Sequence, residues 1–148
     1  MFSVRGIGFS SIELIVVLAV MGIIAAIAIP SWKNWFHSSS LNSSTRQIQS
    51  ELHHIKMRAV AENVGFQLAY IQDASEYTIQ RDSKDFQKKP IPQGTIITKS
   101  GTIWFSPRGT AGANRVRLRN AAGACRQVVV SATGRVRICS SKSCAQDC

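Results

Sequence analysis

Between Leu14 and Ile29 the chain reads LIVVLAVMGIIAAIAI, sixteen consecutive residues without a charge. Taken back to Phe9 the segment has 21 residues. At about 1.5 Å per residue, a helix of that length spans roughly 30 Å, the thickness of a bilayer core. No other stretch of the 148 residues compares with it. The remainder is enough for one folded domain. The run has one anomaly, Glu13. A carboxylate in an apolar span costs on the order of 2.5–3.5 kcal/mol on insertion scales, which marks a function and calls for a cationic partner. A secretory signal does not fit, because the run is too long and ends at Pro30-Ser31-Trp32 rather than at a small-residue cleavage site. A plain anchor with Arg5 on the cytoplasmic side fits the length but leaves Glu13 without a reason.

The stretch GFSSIELIVVLAVMGIIAAIAIP, Gly8 to Pro30, resembles the class III leader and N-terminal helix of type IV pilins and type II secretion pseudopilins. In that family a short basic leader ends in Gly and a dedicated peptidase cuts after it. The new N-terminal residue, usually Phe, is N-methylated, and a Glu and a Pro follow at fixed places. The resemblance therefore implies a leader over residues 1–8, cleavage between Gly8 and Phe9, and N-methylation of Phe9. It implies a transmembrane and filament-core helix over 9–30, with Glu13 and Pro30 in the expected places. Ser10-Ser11 stand where the family usually has Thr-Leu. Glu13 would serve assembly by pairing with the N-terminal amine of a neighbouring subunit. The implied partners are the prepilin peptidase, other pilin subunits and, before assembly, the inner membrane. The implied location is a single-pass inner-membrane protein with a periplasmic head, later part of a pilus at the cell surface.

After Pro30 the helix is expected to continue with a kink. Trp32, Trp35 and Phe36 fall where an interfacial aromatic belt would lie. His37–Arg46, HSSSLNSSTR, is a poor helix former and reads as a loose linker turn. From Gln47 the apolar residues Ile48, Leu52, Ile55, Ala59 and Val60 recur at helical spacing. They define the amphipathic half of the N-terminal helix over 31–64, ending at Asn63 or Gly65. Beyond it the period changes to two. Strands are expected over Phe66–Gln72, Tyr77–Arg81, Thr95–Lys99, Thr102–Phe105, Arg115–Arg119, Arg126–Ser131 and Arg135–Cys139. Asp82–Gly94, polar and holding Pro90 and Pro92, reads as a loop. The fold class is α+β: a long N-terminal hydrophobic helix packed on a small, mostly antiparallel β-sheet head over 65–148, type IV pilin-like.

Charge separates the chain into two parts. Its formal net charge is +10, yet residues 1–98 hold nine Lys/Arg against seven acids, and residues 99–148 hold nine Lys/Arg against Asp147 alone. Arg115, Arg117 and Arg119 alternate with Val116 and Leu118, and Arg135 and Arg137 with Val136 and Ile138. In a strand such alternation sends the aliphatic residues to the core and the arginines outward. A solvated sheet face usually mixes signs, whereas this one is one-signed, which points to an anionic partner. The charge is spread over many residues rather than focused by a glycine-rich loop, which favours nucleic acid over a small phosphate. Arg grips phosphate with a planar two-pronged fork. Arg108 and Lys142 join the candidate DNA-binding set, and Lys99 and Arg126 lie nearby in sequence. Gly134 permits a close backbone approach to a ligand.

IWFSPRG (Ile103–Gly109) and SATGRVRIC (Ser131–Cys139) resemble the FimT/GspH branch of minor pilins. Some FimT-like members with a C-terminal GRxR motif are associated with DNA uptake in natural transformation, and here Gly134-Arg135-Val136-Arg137 matches that motif. The implied function is a minor type IV pilin that binds extracellular DNA non-specifically, by its phosphate backbone, through a basic C-terminal face. The alternatives are a minor pseudopilin of a type II secretion system and a minor pilin acting only in assembly.

Cys125, Cys139, Cys144 and Cys148 all lie in the last 24 residues, and an oxidising location makes them disulfides. Four cysteines allow three connectivities. Cys125–Cys139 with Cys144–Cys148 is the pairing suggested by a hairpin flanked by the first two. A zinc site is the alternative, but the spacings 14, 5 and 4 lack a C-x-x-C pair. His53 and His54 read as solvated helix residues, and His37 shows no ligand spacing with the cysteines. No nucleophile–base motif, metalloprotease motif or phosphate loop occurs, so the chain reads as not an enzyme, without metal or cofactor.

Overall fold

The computed structural model describes residues 10–141 and Cys144, and leaves aside the side chains of residues 28–31, 33, 34 and 141. Gly8, Phe9, Lys142 and Cys148 lie outside the described residues. The chain divides into two compact units, Met1–Trp35 and Phe36–Cys148. The element order is one helix followed by eight strands.

Helix α1 runs Ser11–Glu62, with Glu13 in its first turn. The Ser10 carbonyl accepts from the N–H groups of Glu13 (3.0 Å) and Leu14 (3.3 Å), so Ser10 stands at the N-cap. In the first unit the described apolar side chains from Ile12 to Ile27 are exposed. Among the described residues no helix is long and apolar enough to cross a membrane. The described side chains of the apolar run stop at Ile27.

The expected linker turn at His37–Arg46 is instead helix. Its serines are poor helix formers, but tertiary burial outweighs propensity here. Leu41, Ser44 and Thr45 are buried, extending the stripe of Ile48, Leu52, Ile55 and Ala59 toward the N-terminus at spacings of three and four. The buried hydroxyls bond back along the helix, Ser44 Oγ to the Ser40 carbonyl (2.9 Å) and Thr45 Oγ1 to the Leu41 carbonyl (2.6 Å). Val60, expected in the stripe, is exposed, while Glu51 is buried and receives Lys89 Nζ at 2.7 Å. The helix ends as expected at Asn63, whose φ of 53° lets the Val64 N–H reach back to the Ala59 carbonyl (3.2 Å).

The head carries two antiparallel four-stranded sheets rather than one. The first has the order β3-β2-β1-β5 and the second β4-β6-β7-β8. Their strands are β1 (Phe66–Tyr70), β2 (Glu76–Arg81), β3 (Lys84–Pro90), β4 (Thr95–Ile97), β5 (Gly101–Phe105), β6 (Asn114–Asn120), β7 (Cys125–Val130) and β8 (Val136–Ser141). Strand β3 lies where a loop was expected. It is an edge strand, exposed at nearly every position, and carries Lys84, Lys88, Lys89 and Pro90. Such residues protect an exposed edge from further pairing and erase the apolar alternation that announces a strand. Phe86 of β3 packs its ring against Phe66 and under the Arg58 guanidinium, 4.7 Å from its centroid. The core is one cluster joining the α1 stripe to the inner faces of both sheets, among them Phe66, Tyr77 and Ile103 from the first and Val116, Leu118 and Val128 from the second.

Candidate functional site

Strand register decides which arginines meet. Across β6, β7 and β8 the row Arg115–Val129–Arg137 lies side by side, followed by Arg117–Gln127–Cys139 and Arg119–Cys125–Ser141. Residues directly opposite in antiparallel strands share a face. Arg115, Arg117, Arg119 and Arg137 therefore occupy one face of the second sheet. Val116, Leu118, Val128 and Val130 occupy the other, fully buried. Arg115 and Arg137 are separated by two strand spacings, roughly 10 Å. Arg119 and Arg137 are exposed, and Arg115 and Arg117 half-buried. Arg126 falls on the opposite face, in the row Leu118–Arg126–Ser140.

This face is not a bare comb. Cys125 and Gln127 are buried on it, and the disulfide Cys125–Cys144 holds residue 144 against β7. The expected pairings Cys125–Cys139 and Cys144–Cys148 are thus both corrected, since Cys144 bonds to Cys125. Register places Cys139 opposite Gln127 and Cys125 opposite Ser141, two positions out of step. Cys139 is itself disulfide-bonded.

The strands of the second sheet hold five arginines and no acid. On the helix side of the head, Glu51 pairs with Lys89 and His54, and Glu62 with Arg58 and Arg81. An open cavity of about 360 Å³ is lined by Lys99, Ser100, Asn114, Arg115 and Arg117, so Lys99, noted above only as nearby in sequence, meets two of the arginines in space. Tyr70 lies beside this group and donates to the Arg115 carbonyl (2.9 Å). Burial pushes its phenol up to about 12, and the Arg117 guanidinium pulls partly the other way. It is a neutral donor there at ordinary pH.

A second cationic group forms at one end of the head. The turns carrying Arg108 and Arg135, both exposed, pack on each other. The Ala111 N–H donates to the Ala132 carbonyl (3.0 Å), and Lys56 Nζ of α1 to the Gly134 carbonyl (2.9 Å). Gly134 has φ +73°, and a Cβ there would sit closer than 3.0 Å to the Gly109 carbonyl oxygen. The close approach expected for a ligand is therefore made by the neighbouring turn. Lys56 could not be found from sequence, because only the packing of α1 brings it to the glycine.

The family model described as type II transport protein GspH matches residues 44–134, more than half of the chain. The chain belongs to the GspH family. Solved structures similar to this GspH-family chain include the type IV minor pilin FimU of Pseudomonas aeruginosa in two crystal forms. One is 14% identical over 70% of this chain and 99% of that one, with a TM-score of 0.56. The other is 12% identical over 74% and 98%, with a TM-score of 0.57. The minor pseudopilin EpsH from the Type 2 Secretion System of Vibrio cholerae is 12% identical over 68% and 97%, with a TM-score of 0.59. At these identities the likeness is one of fold: the GspH-family chain is type IV pilin-like, a helix on an antiparallel β head. A sequence search of curated proteins found no match.

Proposed function

We propose that this chain is a minor type IV pilin that captures extracellular DNA through the arginine face of its second sheet, for uptake in natural transformation. The observation that carries the reading is the shared face of Arg115, Arg117, Arg119 and Arg137 on strands without a single acid. Arg108 and Arg135 extend the positive surface at the end of the head, and Lys142 belongs to the proposed set. The mechanism is capture without catalysis. Guanidinium and ammonium groups neutralise phosphates and release condensed counterions, with little base readout, so binding is sequence-independent and salt-sensitive. Retraction of the filament then draws the bound DNA inward. The N-terminal readings belong to the same proposal. Cleavage between Gly8 and Phe9 yields a methylated Phe9, helix 9–30 holds the subunit in the inner membrane before assembly, and Glu13 pairs with a neighbour's terminal amine to set register.

The test is binding of unrelated DNA sequences to the full chain in non-ionic detergent. Four neutralised phosphates predict a loss of about 100-fold in affinity between 50 and 200 mM salt. Replacing Arg135 and Arg137 by Gln weakens binding and shallows that slope, and unchanged binding removes both from the site. The family's description as a type II transport protein favours a second reading, a minor pseudopilin of a secretion system, which predicts no salt-steep DNA binding.

A further inference from the structure

Trp104 lies on β5, between the fully buried Ile103 and Phe105, and is 49% exposed. Its indole is held rather than loose. Gly112 passes beneath it so closely that any Cβ there would come within 3.0 Å of the ring, and the Gly112 N–H donates to the Trp104 carbonyl (3.1 Å). Thr102, two residues away on the same face of β5, stands roughly 7 Å from Trp104 along the strand. The Thr102 carbonyl accepts from Asn114 Nδ2 (3.0 Å), and Asn114 lines the cavity formed with Lys99, Ser100, Arg115 and Arg117. A fixed, half-exposed indole thus stands one strand repeat, roughly 7 Å, from the residue whose carbonyl bonds to the wall of a cavity with three cations. On its other side Trp104 lines a smaller hollow of about 290 Å³ that contains Asp82 and no cation, so an anionic group is favoured only on the side of the arginines.

Sequence-tolerant binding of single strands combines a cationic groove along the backbone with an aromatic ring on which a base stacks. A base inside a duplex has both faces covered and reaches a side chain only by leaving the stack. We propose that Trp104 and the Lys99/Arg115/Arg117 cavity form a site for an unpaired nucleotide, the base on the indole and its phosphate among the cations. This rests on the DNA reading above and adds to it a preference for single-stranded segments and frayed ends.

The test uses the full chain in non-ionic detergent carrying Trp32→Phe and Trp35→Phe, so that Trp104 alone of the three tryptophans reports. The probes are a short oligo-dT, a hairpin-closed duplex and a neutral oligosaccharide. The expected result is saturable quenching by oligo-dT and none by the duplex. Trp104→Ala should weaken oligo-dT binding about 10-fold with duplex binding unchanged, and Trp104→Phe should retain most of it. Lys99→Gln should shallow the oligo-dT salt slope by about 0.7. Duplex binding with a silent Trp104, or quenching by the oligosaccharide and not by oligo-dT, overturns this proposal alone. Failure to bind either DNA overturns the DNA reading beneath it as well.

Discussion

Replacing Gly134 by Ala separates the structural role of the GRVR glycine from its supposed part in binding. Its φ of +73° is a left-handed conformation, which costs a residue with a Cβ about 1–2 kcal/mol. The added Cβ also meets the Gly109 carbonyl oxygen closer than 3.0 Å, a backbone atom that cannot rotate away, and Lys56 Cε and Nζ at 3.1 Å. Relieving the clash separates the two turns. That weakens the Lys56 bond to the Gly134 carbonyl and the Ala111 bond to the Ala132 carbonyl, at about 1 kcal/mol each. A total near 3 kcal/mol lowers the Tm of a head of this size by about 10–20 °C. Thermal unfolding followed by circular dichroism measures that shift. DNA affinity is then read well below the transition, where the variant is folded. The expected result is a large fall in Tm with the affinity of the folded protein preserved, the reverse of what Arg135→Gln should give. An unchanged Tm refutes the packing argument, and lost affinity at an unchanged Tm restores the glycine to the binding site.

Cys125→Ser or Cys144→Ser should cost about 3 kcal/mol from loop-closure entropy over a separation of 19 residues, read by denaturant titration. Non-reducing peptide mapping should join Cys125 to Cys144, and a Cys125–Cys139 link would contradict the structure. Tyr70 is pushed up to about 12 in the fold from an ordinary value of 10.0. Its contribution to stability is therefore complete below pH 10 and lost as pH climbs toward 12, so denaturant midpoints should fall over that range and fall less in Tyr70→Phe. Asn120 is buried, donates to the His37 carbonyl (3.0 Å) and accepts from the Ala124 N–H (2.9 Å), pinning α1 to the β6–β7 turn. Asn120→Ala should lower stability by about 1–3 kcal/mol, measured by chemical unfolding.

What could be read from the sequence followed from strong periodicity. The alternation of Arg with Val, Leu and Ile in β6 and β8 located both strands and their inward and outward sides, and Asn63 marked the end of α1. The misses have local causes. Residues 37–46 read as a turn because serine propensity opposes helix, while the burial of Leu41, Ser44 and Thr45 that outweighs it is tertiary. Strand β3 was hidden by the lysines and proline that suit an exposed edge. The combs could be found one at a time, but their union could not. Register alone sets Arg115 beside Val129 and Arg137, and only the path of the β4–β5 connection brings Lys99 to Arg115 and Arg117. The packing of Gly134 on Gly109, 25 positions earlier in the chain, has no local signature in the sequence.

The central claim is that the second sheet takes phosphates through the row it assembles across β6 and β8. The most direct measurement is the slope of log affinity against log salt for a duplex of arbitrary sequence, comparing the unaltered chain with Arg115→Gln/Arg137→Gln. Two lost phosphate contacts should make the slope shallower by about 1.8, together with weaker binding, both read at a temperature where the variant is folded. A slope identical to that of the unaltered chain, with the variant folded, would contradict the account.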